Sequence, residues 1–195
     1  MIEELKTALA KRQKRHIIDS SRLSAAVVVP IFRKDNECYL LFTERTDTVK
    51  NHKGQISFPG GACEAKDGTP VNTALRECAE EVGLTGGSVE ILGELDDEIT
   101  VTSSFVITPF VAFVSSPDEI KVDPREVKET IEIPVSALQD KDSWREETKI
   151  MDGQSVTTYF YNYQGKVIWG ATARILNKFL DVFNQVADKI KCCNG

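Results

Sequence analysis

Apolar and polar positions change period several times along this chain, and each change marks an element. Between residues 2 and 15, Ile2, Leu5, Ala8 and Leu9 recur at helical spacing amid Lys and Arg, which predicts an N-terminal packing helix. Ala25 to Phe32 is a continuous apolar run with Val27, Val28, Val29 and Ile31, the pattern of a buried strand. Cys38 to Thr43 is its expected partner across a Lys34-Asp35-Asn36 turn. Further strands are expected over Val89 to Leu95, Ser104 to Ser115 and Ser155 to Tyr163, with Pro109 at a bulge or edge and a segment from Glu132 leading to Leu138. Tyr159, Phe160, Tyr161 and Tyr163 read as packing residues rather than as a stacking platform for a base. From Ala171 to Ile190 one broad stripe, including Ile175, Leu176, Phe179, Leu180, Phe183 and Val186, predicts a long C-terminal helix against the core.

The segment from Arg76 to Leu84 changes the picture from architecture to chemistry. At helical spacing Leu75, Cys78, Ala79 and Val82 share one face, while Arg76, Glu77, Glu80 and Glu81 fall on the other. Gly83 and Gly86-Gly87 then stop the helix. Glu77 crowds Glu80 and Glu81 at three- and four-residue spacing, and each like-charge pair costs the helix about 0.2–0.5 kcal/mol. A hard divalent cation offsets such repulsion, because Mg²⁺ takes oxygen ligands and completes its shell with water and substrate phosphates. A merely solvated acidic face is the alternative for the three glutamates alone. Immediately upstream, Phe58-Pro59-Gly60-Gly61 supplies a turn where backbone can approach an ion or a phosphate without a side chain in the way.

Taken outward, Gly61 to Leu84 resembles the Nudix box. Its second half, Arg76-Glu77-Cys78-Ala79-Glu80-Glu81-Val82-Gly83-Leu84, matches at every specified position. The first half is offset: Gly61 and Asp67 each lie one residue early, which a one-residue longer loop accommodates. Leu41-Phe42-Thr43-Glu44-Arg45-Thr46, followed by Lys50 to Gly61, resembles the signature of the coenzyme A pyrophosphatase branch of that family. Asp123-Pro124-Arg125-Glu126-Val127 and Ile168-Trp169-Gly170-Ala171-Thr172-Ala173-Arg174-Ile175 are similar to that branch as well. The resemblance runs from about Leu23 to Leu180.

What the resemblance implies is an α/β chain with the Nudix α/β/α sandwich: a mixed β-sheet, a catalytic loop-helix-loop, and N- and C-terminal helices. It implies metal-dependent hydrolysis of the diphosphate of coenzyme A or an acyl derivative, giving adenosine 3′,5′-bisphosphate and 4′-phosphopantetheine. Glu77, Glu80 and Glu81 with Gly61 would hold Mg²⁺ or Mn²⁺. Glu81, Glu80 and Arg76 carry the catalytic roles, Arg76 by orienting the glutamates through charge-assisted hydrogen bonds. Arg45, Lys50, His52, Gly54, Gln55 and Gly60 are the expected substrate-binding residues. The general base stays open between the box glutamates and an acid of a later segment, with Glu98, Glu126 and Glu129 as candidates. Two alternatives stand beside this reading: a Nudix pyrophosphatase acting on ADP-ribose or another nucleoside diphosphate derivative, and a non-catalytic Nudix-fold nucleotide sensor.

Composition narrows the partners. At 195 residues and 41% apolar content the chain suits one domain spanning 1–195 with its core over about 23–180. A net charge of −6 argues against nucleic acid as a partner. Five cysteines, Cys38, Cys63, Cys78, Cys192 and Cys193, lack zinc spacing and do not suggest a disulfide framework, and Cys78 reads as a small buried hydrophobe. With no charged leader, no apolar run near 18 residues and no Ser-Lys-Leu ending, the expected setting is the cytoplasm, with a small-molecule substrate, no membrane, and homodimerisation open.

Overall fold

A twelve-residue strand, β1 (Leu23–Lys34), divides the protein into two apolar layers because its side chains alternate between them. Val29 and Ile31 enter a cluster with Leu5, Leu9, Phe42, Leu176 and Phe179, whereas Ala26, Val28 and Phe32 enter another with Ala74, Cys78 and Val82. A strand buried on both faces has no polar alternation, which is why the sequence there is a continuous apolar run. The computed structural model describes residues 1–46, 54–101, 103–151 and 154–193.

The elements follow in the order α1 (Ile2–Lys11), β1, β2 (Glu37–Arg45), β3 (Ile56–Ser57), β4 (Gly60–Ala62), α2 (Pro70–Val82), β5 (Val89–Glu94), β6 (Glu98–Ile99), β7 (Phe105–Val114), β8 (Val127–Pro134), α3 (Val135–Gln139), β9 (Trp144–Met151), β10 (Gln154–Tyr163), β11 (Lys166–Trp169) and α4 (Gly170–Cys193). The larger sheet runs β3-β2-β1-β7-β5, with β4 beside β1, β6 beside β7 and β8 beside β2. Strands β1 and β7 pair in parallel and the other pairs are antiparallel, so the sheet is mixed. Helix α2 covers one face, and α1 and α4 cover the other. This is the α/β/α sandwich with a mixed sheet that the sequence implied. A second sheet, β11-β10-β9, packs beside α4.

The β1–β2 turn has Asp35 and Asn36 at φ 50° and 64°, the left-handed pair of a two-residue hairpin, and Asx residues tolerate that region well. Tyr161 is buried in the core, Tyr159 and Tyr163 pack against it, and Trp144 stacks on Tyr161. Phe160 lies under the guanidinium of Arg145 at 4.5 Å.

Two expectations need correction. The N-terminal helix ends at Lys11 rather than near residue 15, because the following backbone is claimed by the turn after β5: Arg15 N–H donates to Asp96 Oδ1 at 2.9 Å and Ile17 N–H to Asp97 Oδ2 at 2.9 Å. Pro109 lies at neither an edge nor a bulge of its own but in β7, paired with Val27 of β1. Its carbonyl accepts from Leu95 N–H at 3.0 Å. N–H and C=O of one strand residue point the same way. The donor that proline lacks would therefore face Leu95 just past the end of β5, so the only bond forgone is at the end of that ladder.

Candidate active site

Helix α2 is fixed at both ends by its own sequence. Thr69 caps the N-terminus by accepting from Asn72 N–H at 3.4 Å, Pro70 takes the first helical position, and Gly83 closes the helix in the left-handed region at φ 73°. Ala74, Cys78 and Val82 are fully buried against the sheet. Burial pushes the Cys78 thiol up to about 12, so it is an inert apolar group.

The helical-wheel reading fails at one position. Glu81, expected on the polar face, is buried, with its side chain 3% exposed. The sheet carries β4 alongside α2, so a residue one step off the apolar stripe is still covered. Glu81 is answered there by Gly60 N–H at 3.2 Å and by Arg45 Nη1 at 3.5 Å. Burial pushes its carboxyl up to about 7, against the opposing pull of Arg45 and of the Gly60 amide. Burial also raises the Glu77 carboxyl, opposed by Arg76. The charge of Glu126 adds to the upward push on both.

Arg76 is the hub of the remaining contacts. Its Nε and Nη2 donate to the two oxygens of Asp67 at 2.8 and 3.0 Å, and its Nη1 donates to Glu77 Oε1 at 2.7 Å and Glu80 Oε2 at 3.0 Å. Asp67 is itself held by Thr73 Oγ1 at 2.8 Å and Glu64 N–H at 3.0 Å. The Arg76 guanidinium, more than any other neighbour, holds the Asp67 carboxyl far below the usual carboxylate range. Of the contacts expected of Arg76, those to Glu77 and Glu80 are present, Glu81 is met instead by Arg45 and Gly60, and Asp67 and Thr73 are partners that the sequence reading did not assign. The available signal was Asp67 itself, one residue out of register with the box.

Gly60 and Gly61 have a steric reason to be glycine. A Cβ on Gly60 would meet the backbone of Ala26 and Val27, and one on Gly61 would lie 2.6 Å from the Glu77 carboxyl carbon. The backbone of Gly61 therefore lies directly against the Glu77 carboxylate.

The structure brings Glu77, Glu81, Gly60, Gly61 and Arg45 together. It leaves Glu80 at the rim, its side chain 59% exposed and turned to Arg76. Gly54 and Gln55 lie on the backbone ladder of Arg45: Gly54 N–H donates to the Arg45 carbonyl at 3.2 Å, and Arg45 N–H donates to that of Gln55 at 3.0 Å. Lys50 and His52 fall outside the described residues. Of the open general-base candidates, Glu98 is held by Arg174 at 2.5 Å and Lys178 at 2.7 Å from α4, and Glu129 pairs with Lys166. Glu126 is the one whose charge reaches Glu77 and Glu81.

Among the described residues, no three Asp, Glu, His or Cys side chains converge into a ready-made cation cage. What converges is one buried and one half-buried carboxylate, Glu81 and Glu77, against a glycine backbone, all hard oxygen donors. That set suits an ion bound through one or two carboxylates and completed by water and substrate phosphates. The cradle at Gly61, which a Cβ would fill, fits the same purpose.

Comparison with known proteins places these elements in context. The model of the NUDIX domain matches residues 22–154. The uncharacterized Nudix hydrolase NudL of Photorhabdus laumondii is 35% identical over 164 residues, covering 84% of this chain and 86% of that protein. A MutT/nudix family protein from Enterococcus faecalis superposes with a TM-score of 0.59 at 15% identity, over 96% of this chain and 70% of that one. The NUDIX domain of Shewanella oneidensis NrtR, solved with ADP ribose, gives 0.50 at 18% identity over 62% of this chain and 78% of that one. At these identities the two solved structures attest the fold.

Proposed function

The chain belongs to the Nudix hydrolases, enzymes that cleave phosphorus-containing acid anhydrides with divalent metal ions, and from that membership we propose that it is a coenzyme A diphosphatase. The observation that carries the reading is the contact of Arg45 with Glu81 at 3.5 Å. It joins the end of the Leu41–Thr46 segment, which resembles the coenzyme A branch, to the carboxylates of the box. Gly60, at the end of the same signature, donates its N–H to Glu81 from the other side.

In this reading Glu77, Glu81 and the Gly61 backbone would hold Mg²⁺ or Mn²⁺. Such an ion would supply positive charge to the diphosphate oxygens and make water a stronger acid there. Arg76, tied to Asp67, keeps Glu77 and Glu80 in place and acts as a positioning residue. Water adds to one phosphorus, the bond from that phosphorus to the bridging oxygen breaks, and the water's proton passes to a carboxylate. Glu80 and Glu126 are the two acceptors left once Glu77 and Glu81 hold the ion. The one whose Gln variant loses turnover while keeping Mn²⁺ affinity is the base. Arg45, Gly54, Gln55 and Gly60, with Lys50 and His52 of the same signature, form the substrate side. The 1–195 chain works as one domain with a small-molecule substrate.

The test is a substrate panel: purified protein with Mn²⁺ or Mg²⁺ against coenzyme A, acyl-coenzyme A, ADP-ribose and nucleoside diphosphate derivatives, with products identified by mass. Selective release of 4′-phosphopantetheine supports the proposal. Cleavage of ADP-ribose with coenzyme A left intact replaces the substrate, and binding without cleavage replaces the enzyme by a sensor.

A further inference from the structure

Two arginines serve this site in opposite ways. Arg76 spends its donors on Asp67, Glu77, Glu80 and the Ala62 carbonyl, and is fixed. Among the described residues Arg45 makes one long side-chain contact, Nη1 to Glu81 Oε1 at 3.5 Å, and its buried Nε finds no hydrogen-bond partner. Its backbone, by contrast, is pinned: its N–H donates to the Gln55 carbonyl, its carbonyl accepts from Gly54 N–H, and Thr46 N–H next to it donates to the Glu126 carbonyl at 3.0 Å.

The strand geometry also aims it. The β2–β8 register shifts between Glu44 and Arg45, so that Glu44 lies opposite Glu129 and Arg45 opposite Val127. Such bulges re-aim side chains beside sites. Glu44 turns to Lys128 and Lys166, and Arg45 turns to the α2 side, onto Glu81. A guanidinium with a fixed root, one marginal bond and a bare buried donor is held by charge rather than by directed hydrogen bonds. That is a contact built to be given up.

Resting on the reading of Glu77 and Glu81 as metal holders, we propose that Arg45 is a built-in counter-cation for Glu81, occupying the carboxylate until the divalent ion displaces it. A guanidinium beside Glu81 repels an incoming dication that needs the same oxygens, and at close range that repulsion is large. The buried carboxylate is never left bare in the cation-free enzyme. The cost is a metal affinity lower than Glu77 and Glu81 alone would give. Arg45 is a positioning residue in this role, acting through Glu81.

Calorimetric Mn²⁺ titration of wild type, Arg45→Gln and Arg45→Lys at fixed pH and salt tests this, with Glu81→Gln as a control. Arg45→Gln should bind Mn²⁺ about tenfold more tightly than wild type, and Arg45→Lys, which restores the charge, within about twofold of it. A gain in affinity is not what loss of a structural residue produces. If Arg45→Gln does not fold, Arg45→Met, which keeps the packing of the stem, carries the same expectation. Unchanged or weaker binding in the neutral variant overturns the proposal, as does Arg45→Lys binding as tightly as Arg45→Gln. Wild-type binding that Glu81→Gln abolishes keeps the metal reading even where the Arg45 arm fails. No Mn²⁺ binding by wild type overturns both.

Discussion

Arg76 grips Asp67 with two parallel hydrogen bonds, Nε to Oδ1 at 2.8 Å and Nη2 to Oδ2 at 3.0 Å, and reaches Glu77 and Glu80 with its third nitrogen. The fork fixes the plane of the guanidinium and therefore the position of the carboxylates that lean on it. Asp67→Asn keeps the shape and removes the charge and one acceptor oxygen. It should lower turnover about 10- to 100-fold with a matching loss of Mn²⁺ affinity, the usual effect of losing an outer-shell partner. Steady-state kinetics with a parallel metal titration check this, and unchanged values would mean that Arg76 needs no anchor.

Glu81 makes stability depend on pH. Its folded carboxyl sits at about 7 against 4.5 for the ordinary value, so the folded state binds the extra proton between those pH values. Without metal, stability should therefore fall as pH rises from about 4.5 to 7 and level off above. Glu81→Gln removes this dependence. In EDTA at pH 8 it should be more stable than wild type by roughly 3 kcal/mol, the difference vanishing below about pH 4.5. Denaturant unfolding across that range reads both the sign and the window.

Gly61 leaves no room for a side chain beside the Glu77 carboxyl, 2.6 Å from where a Cβ would be. Gly61→Ala should push that carboxylate aside, with turnover down about 100-fold, since a displacement near 1 Å is worth that much. A near-normal rate would separate Glu77 from the chemistry.

Glu98 carries a structural expectation. Its carboxylate ties β6 to Arg174 and Lys178 of α4, so Glu98→Gln should lower stability by on the order of 3 kcal/mol and leave Mn²⁺ affinity unchanged. Lost turnover with Mn²⁺ affinity and fold intact would return Glu98 to the list of candidate bases.

The parts of this molecule legible in its sequence are those that local pattern decides. The β1 run, the Asp35-Asn36 turn, the α2 stop at Gly83 and the long α4 stripe all follow from period, turn chemistry and capping. The hydrogen bonds of Arg76 to Glu77 and Glu80 were legible too. The burial of Glu81 was not, because a helical wheel knows nothing of β4 lying alongside. The place of Pro109 depended on the end of the β5 ladder, and the end of α1 on Asp96 and Asp97, roughly 80 residues away, competing for its backbone. Asp67 was hidden by a one-residue offset, the extra residue lying between Asp67 and Arg76.

The most direct measurement is the rate of coenzyme A cleavage with saturating Mn²⁺ in wild type, Glu77→Gln and Glu81→Gln, with metal affinity measured on the same preparations. The account predicts 4′-phosphopantetheine from wild type and a loss of about a thousandfold or more in each variant, together with weakened Mn²⁺ binding. Near-wild-type cleavage in either variant, or no cleavage of coenzyme A by the wild-type protein, would contradict it.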